Sequence, residues 1–194
     1  MNETFSQSFT MKGVLYLMDG KTYRAVRKSS KNTAWEAVSV SGTAYVPTTT
    51  ISAAPTGGGT SYEAVNLLTP KRINTFIGDG TATQFKVDAT DLDETAVTAE
   101  VNGSAVTVSA VNRSTGLVTL AAAPANGNGL ANVSIAFAKT VSGHADKINK
   151  CRFAGLYGGK NDTRVFLSGN PDEPDCDWQS GLYDPTYFPD IGYT

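Results

Sequence analysis

Short alternating runs separated by turn dipeptides are the feature that most constrains this chain. Val97, Ala99 and Val101 alternate with polar residues, Asn102-Gly103 follows, and a second alternating run covers residues 106–109. Asn-Gly or Asp-Gly between two such runs favours a hairpin, because a type I′ turn needs positive φ at both central residues. Asp19-Gly20 follows the apolar run 14–18 in the same way. The sequence therefore predicts antiparallel hairpins.

Further runs of this kind follow at a spacing of roughly ten residues, which is typical of a β-sandwich or a β-barrel. They cover residues 84–88, 116–120, 133–137, 151–157 and 163–168. The 19 glycines and 8 prolines fit many short strands better than long helices. One short helix is predicted at 143–150. The predicted fold class is all-β and antiparallel.

Charge and hydropathy exclude several classes of protein. Lys plus Arg number 16 and Asp plus Glu number 18, so the net charge is -2 and no basic footprint of a nucleic-acid binder is present. No apolar run approaches the ~18 residues of a membrane span. The first residues lack the basic and apolar regions of a secretory signal. We expect neither nucleic-acid specificity nor a membrane segment.

The composition divides the chain into three segments. Residues 71–140 lack Trp, Tyr and Cys, whereas the flanks 1–70 and 141–194 are rich in aromatic residues. This shift predicts a β-sandwich at 71–140 inserted into a second β part, which 1–70 and 141–194 form together. Residues 47–61 have no charge and no period. They are interpreted as a flexible loop or as an arm ordered against a neighbouring subunit.

Residues for nucleophilic or redox chemistry are sparse. His144, near Asp146, is the single histidine, and no serine lies in a Gly-x-Ser-x-Gly elbow. Cys151 and Cys176 have no Cys-x-x-Cys spacing. They either form one bridge or remain thiols that pack in the interior.

Two other clusters also fall short of a functional motif. Asp172, Glu173, Asp175 and Asp177 supply oxygen ligands of the kind calcium takes. Their spacing is not that of an EF-hand loop, and a solvated acidic turn is the preferred interpretation. The glycine-rich segment 155–160 lacks the Gly-Lys-Ser/Thr of a phosphate loop and predicts a turn between strands. We therefore expect no catalytic residues, no cofactor and no metal site.

The middle segment resembles a β-sandwich module of phage tail and tail-fibre proteins. The matching residues, in order, are Gly78-Asp79-Gly80-Thr81 with Phe85, Val101-Asn102-Gly103, Gly116-Leu117-Val118-Thr119-Leu120, Ala123-Pro124 and Val133-Ser134-Ile135-Ala136-Phe137. The loop 125–131 departs from the shorter Ala-Gly-Asp of the family.

Both flanks resemble blade sequence of the β-propeller proteins of phage necks and tail nozzles. The resemblance lies in 164–171, in 180–190, which contains Asp184-Pro185-Thr186-Tyr187-Phe188-Pro189, and in the hairpin that begins at Leu15. A propeller needs roughly four blades or more, and the flanks are too short to supply them. The resemblance therefore implies an excised fragment or a shortened relative whose flanks pair as a small sheet.

These resemblances imply a structural component of a phage or prophage virion, in its neck or tail. Such a protein assembles in the bacterial host cytoplasm and acts by packing against other virion proteins, with copies of itself in a ring. The alternative is a host-surface or glycan-binding module of a tail spike or cell-surface protein, with exposed aromatic residues of 178–188 as the sugar platform.

The prolines near the end of the chain predict a packed corner. Pro185 and Pro189 each fix one φ angle and favour extended geometry in the residue before them, which holds Tyr187-Phe188 between two rigid points. The sequence therefore predicts that Trp178, Tyr183, Tyr187 and Phe188 are buried against the hairpin around Tyr16 and Tyr23.

Overall fold

The computed structural model describes residues 6–29, 34–159 and 162–194. Within these ranges the fold is all-β, as predicted, with one short α-helix and one 3-10 turn. The chain divides into two compact units. Unit 1 comprises the described parts of Met1–Tyr45, Asn66–Thr69 and Val141–Thr194, and unit 2 comprises Val46–Val65 and Pro70–Thr140. Neither helical segment of the described chain has the length and apolar character that crossing a bilayer requires.

The described residues form the following elements in chain order: β1 (Gln7–Met11), β2 (Val14–Met18), β3 (Tyr23–Lys28), β4 (Trp35–Ser39), the 3-10 turn (Val40–Thr43), β5 (Thr48–Ala53), β6 (Thr60–Ser61), β7 (Lys71–Phe76), β8 (Gln84–Lys86), β9 (Thr98–Val101), β10 (Ser104–Val106), β11 (Val108–Asn112), β12 (Leu117–Leu120), β13 (Val133–Ala138), α1 (His144–Asn149), β14 (Phe153–Tyr157), β15 (Arg164–Ser168) and β16 (Trp178–Gln179). The predicted helix has a counterpart among these elements, and so does each predicted strand except the run 106–109, which divides between β10 and β11 of two different sheets.

Unit 1 contains two antiparallel meanders. The first has the strand order β1-β2-β3-β4 and the second the order β14-β15-β16. A bridge between Trp178 and Tyr193 adds the end of the chain beside β16. β1 and β2 are joined at Lys12-Gly13, whose φ angles of 50° and 74° are those of a tight hairpin turn.

The predicted type I′ turn at Asp19-Gly20 is wrong in its details. Met18 pairs with Tyr23, so the loop has four residues, and Asp19 is not among the residues with positive φ. The Asp19 carboxylate instead accepts hydrogen bonds from the backbone N–H groups of Lys21 at 3.0 Å and Thr22 at 2.7 Å. The hairpin forms as predicted, but a side chain shapes its loop.

Both meanders of unit 1 share one core, which confirms that the two flanks contact each other. The segment 66–69 also enters it through Leu67 and Leu68. The buried members are Met11, Tyr16, Met18, Tyr23, Ala25, Val40, Leu67, Leu68, Ile148, Cys151, Val165, Leu167, Trp178 and Phe188.

Unit 2 has its own core, to which two sheets contribute. One sheet has the order β10-β9-β13-β7-β5-β6 and the other the order β11-β12-β8. The Asn102-Gly103 turn has φ angles of 51° and 76°, as a type I′ turn requires. The buried members of this core are Ala53, Phe76, Phe85, Val87, Leu92, Ala99, Val118, Leu120, Val133, Ile135 and Phe137.

The interpretation of 47–61 as a flexible loop or as an arm ordered against a neighbouring subunit is wrong, because the segment pairs within its own chain. β5 begins at the second residue of this segment and pairs in parallel with β7, and β6, at the end of the segment, returns antiparallel to β5. Gly57, Gly58 and Gly59 reverse the chain with φ angles of 108°, 90° and 88°. A Cβ at Gly59 would lie 2.7 Å from the Ile51 carbonyl oxygen, so the two backbones approach too closely for any other residue. The boundary expected after residue 70 is therefore displaced, because 46–65 belongs to unit 2.

Candidate functional site

Two of the four carboxylates in the acidic turn predicted at 172–177 pair with lysines of the same unit. Lys150 Nζ lies 2.6 Å from Asp172 Oδ2, and Lys147 Nζ lies 2.8 Å from Glu173 Oε1. The hydrogen bond that Lys150 donates to Asp172 raises the pKa of Lys150. Asp175 and Asp177 are exposed. Within the described residues no group of three or more His, Cys, Asp or Glu side chains is arranged to hold a metal ion.

The two cysteines are free thiols and not a bridge. Cys151 is fully buried, and its Sγ donates a hydrogen bond of 3.1 Å to the Lys147 carbonyl oxygen. Burial raises the pKa of the Cys151 thiol to about 12, which disfavours the nucleophilic thiolate. Cys176 is half-buried.

His144 and the glycine-rich segment take ordinary structural positions. His144 is the first residue of α1 and is half-buried. Asp146 lies two positions further along the same helix. Gly155 lies within β14, and Gly158, with φ at 130°, leads into the connection between β14 and β15. Lys160 and Asn161 of this connection lie outside the described residues.

The aromatic end packs inward as predicted at two of its four rings, Trp178 and Phe188. Trp178 is 1% exposed and Phe188 is fully buried, whereas Tyr183 and Tyr187 are half-buried. The Phe188 ring meets the Tyr23 ring edge-on at a centroid distance of 6.2 Å. Trp178 and Phe188 therefore cannot serve as the exposed sugar platform that the alternative hypothesis requires.

Asn66 is an organising residue that sequence reasoning missed. Its side-chain amide donates to the carbonyl oxygens of Tyr45 and Thr186, each at 2.8 Å. Its Oδ1 accepts from the backbone N–H groups of Leu68 at 3.1 Å and Phe188 at 3.0 Å. A buried asparagine that makes four such bonds holds three separate stretches of unit 1 together. The only sign of this role in the sequence is a single polar residue directly before the apolar pair Leu67-Leu68.

A concave site of unit 2 is a cleft of about 420 Å³, which we call the polar cleft. It is built from β5, the glycine turn after it, β7 and the end of β8. Its lining residues are Thr50, Ala53, Thr56, Gly57, Gly58, Asn74, Lys86, Val87, Asp88, Ala89 and Thr90.

A hydrogen-bond network fixes one carboxylate in the polar cleft. Asp88 Oδ2 accepts from the Thr49 hydroxyl at 2.7 Å and the Thr50 hydroxyl at 3.0 Å. Asn74 Oδ1 accepts from the backbone N–H of Asp88 at 2.8 Å, and Asn74 Nδ2 donates to Thr49 Oγ1 at 2.9 Å. Asn74, Thr49 and Thr50 are buried, whereas Asp88 is exposed. The buried groups therefore orient an accessible carboxylate.

The sequence predicts the strand that carries this site but not the site. Phe85 and Val87 point to the core of unit 2, so the alternate residues Lys86 and Asp88 reach the cleft. Polar residues at alternate positions are also what any half-buried strand shows. Only the pairing of β5 with β7 brings Thr49, Thr50 and Asn74 close to Asp88.

Comparisons with family models, with curated proteins and with solved structures find no match for this chain.

Proposed function

We propose that this chain is a structural component of a phage or prophage virion, in the neck or tail region, and that it acts by assembly and not by catalysis. The observation that carries the proposal is the construction of unit 1. Segments that precede and follow unit 2 in sequence form two antiparallel meanders around one core. This is the construction expected of blade sequence interrupted by an inserted β unit.

The strand arrangement of the two meanders supports the proposed relation to propeller blades. A blade is a four-stranded sheet, and β1–β4 form a four-stranded meander. β14–β16, with the Trp178–Tyr193 bridge beside β16, approach the same form. The assignments of unit 1 as blades and of unit 2 as a sandwich stay predictions. We propose that other virion proteins, or copies of this chain in a ring, pack against these sheets.

Exposed apolar side chains on unit 1 favour contacts with other proteins. Tyr157 is 77% exposed, and Phe153 and Leu156 of the same strand are also exposed. β14 carries no charged residue, and its backbone pairs with β15 on one side. On the other side its Ala154 N–H donates to Gln7 Oε1 of β1, so this edge is partly covered within the unit. The exposed Phe153, Leu156 and Tyr157 side chains are therefore the surface that another virion protein would cover.

Deletion of the gene tests this function. Particles from a deletion strain should lack part of the neck or tail in electron micrographs and should lose infectivity, and the gene supplied on a plasmid should restore both. Complementation with Tyr157→Lys should fail. Leu130→Lys, at a 75% exposed position of unit 2, is the matched control and should complement. Complete, infectious particles from the deletion strain would refute the proposal.

A further inference from the structure

We propose that the polar cleft binds a saccharide, through two neighbouring hydroxyl groups of the sugar that contact Asp88 and Lys86. This inference is independent of the virion proposal. It starts from the network that orients Asp88, and from the presence of a lysine and an aspartate in one cleft without an ion pair between them.

The Asp88 carboxylate has one oxygen engaged and one available. Oδ2 accepts from both the Thr49 and Thr50 hydroxyls. Among the described residues no hydrogen bond to Oδ1 is found. A carboxylate held in one orientation before binding loses little conformational freedom when a ligand hydroxyl donates to it. The free oxygen is therefore a preorganised acceptor.

Lys86 supplies the complementary donor. Within the described part of the chain no acidic oxygen lies within 4.0 Å of its ammonium group. A Cβ at Gly57 would lie 3.3 Å from Lys86 Cγ, so the lysine stem packs closely on the glycine backbone. Glycine at this position thus leaves room for the stem along the wall of the cleft.

This pair of charges selects a neutral ligand over a charged side chain of a protein partner. A ligand lysine or arginine would be attracted to Asp88 but repelled by Lys86. A ligand carboxylate would be attracted to Lys86 but repelled by Asp88. A diol satisfies both groups, because one hydroxyl donates to Asp88 while the other accepts from Lys86. Ala53 and Ala89 add small apolar surfaces to the cleft for the C–H groups of a sugar ring.

Titration of the intact chain with sugars, followed by amide chemical shifts, tests the inference. The probes are glucose, galactose, mannose and N-acetylglucosamine, with acetate and methylammonium as mimics of charged side chains. At least one sugar should shift the amides of Gly57, Gly58 and residues 88–90 with saturation in the millimolar range. The charged mimics should bind there more weakly than that sugar.

Two variants that keep side-chain size test the assigned contacts. Asp88→Asn keeps one oxygen for the Thr49 and Thr50 hydroxyls and places an NH2 donor where the free acceptor was. Lys86→Met keeps the stem but removes the ammonium. Each should weaken sugar binding by about tenfold or more, while Glu100→Gln, an exposed carboxylate of β9, should leave it unchanged. In the part of the chain that the structure describes, Lys86 takes no part in the hydrogen-bond network of Asn74 and Asp88. Lys86→Met therefore tests the inference even if Asp88→Asn disturbs the fold.

Three results would overturn the inference: no sugar shifts the cleft amides, Lys86→Met binds the sugar as the parent does, or a charged mimic binds in the cleft more tightly than every sugar. The last result would identify the cleft as a site for a protein side chain.

Discussion

The Tyr23 hydroxyl donates a hydrogen bond of 3.0 Å to the carbonyl oxygen of Pro185, 162 positions later in the chain. Both the hydroxyl and the ring are buried, and burial raises the pKa of Tyr23 well above its usual value. The ring also meets Phe188 edge-on. The β2–β3 hairpin and the end of the chain are thus parts of one core, although unit 2 separates them in sequence.

Replacing Phe188 with alanine should unfold unit 1. Loss of a fully buried ring costs about 3–5 kcal/mol, which is a large part of the ~5–15 kcal/mol stability of a domain. In hydrogen exchange, amides of β2, β3 and β15 should lose protection while those of β7 and β13 keep theirs. Phe85→Ala, in the core of unit 2, should give the reverse pattern. A parent-like melt of Phe188→Ala would show that this ring lies outside the core.

Asn66→Ala should destabilise unit 1 by about 3 kcal/mol or more. The change removes the acceptor of the buried Leu68 and Phe188 N–H groups and the side-chain donor to the Tyr45 and Thr186 carbonyl oxygens. The Thr186 oxygen keeps a bond from the Tyr45 N–H, and each buried group left unsatisfied costs about 1–3 kcal/mol. Denaturant titration measures the difference. Asn126→Ala, at an exposed position with one local hydrogen bond, is the control and should cost under about 1 kcal/mol. Equal effects of the two variants would contradict the role given to Asn66.

The two cysteines should differ sharply in reactivity. With a pKa of about 12, Cys151 has a thiolate fraction of about one in 10⁴ at pH 8, and its sulfur is buried. Titration of the native protein with a disulfide reagent should modify Cys176 first, and Cys151 only after denaturant is added. Rapid modification of both thiols in the native protein would contradict the burial of Cys151.

Unit 1 should lose stability at alkaline pH. The folded protein holds the Cys151 proton up to a pKa of about 12, whereas an unfolded cysteine releases it near pH 8.5. The unfolded state therefore binds fewer protons above pH ~8.5, and the stabilisation, complete below that pH, is lost as the pH rises toward 12. Chemical denaturation at pH 7.5 and 9.5 measures the loss. Cys151→Ala should reduce this pH dependence, and an unchanged dependence would rule out Cys151 as its source.

Local patterns in the sequence predicted most elements because each depends on neighbouring residues. Alternation located β8, β9, β12 and β13, and Asn102-Gly103 identified a type I′ turn correctly. β5 escaped notice because its Thr-rich segment shows no alternation, and its pairing with β7 depends on residues far away in sequence. The Asp19 loop differs from the predicted type I′ turn because the Asp19 carboxylate accepts hydrogen bonds from backbone N–H groups of the loop. These bonds stabilise a loop of four residues.

The polar groups that organise each unit were less accessible to sequence reasoning. Asn66 bonds to backbone groups of Tyr45, Leu68, Thr186 and Phe188, and no local spacing indicates such a set. Asp88 likewise becomes an oriented acceptor only when folding brings Thr49, Thr50 and Asn74 to it. Burial of the aromatic end could be predicted, since the prolines around Tyr187-Phe188 restrict the backbone locally.

Quantitative mass spectrometry of purified particles tests the central claim most directly. Particles separated on a density gradient from the lysate of a strain that carries the gene should contain this chain, at a fixed ratio to the major capsid protein across the particle peak. The ratio should persist after a high-salt wash, as expected of a subunit packed by buried apolar contacts. Absence of the chain from infectious particles, or a ratio that varies across the peak, would contradict a structural role in the virion.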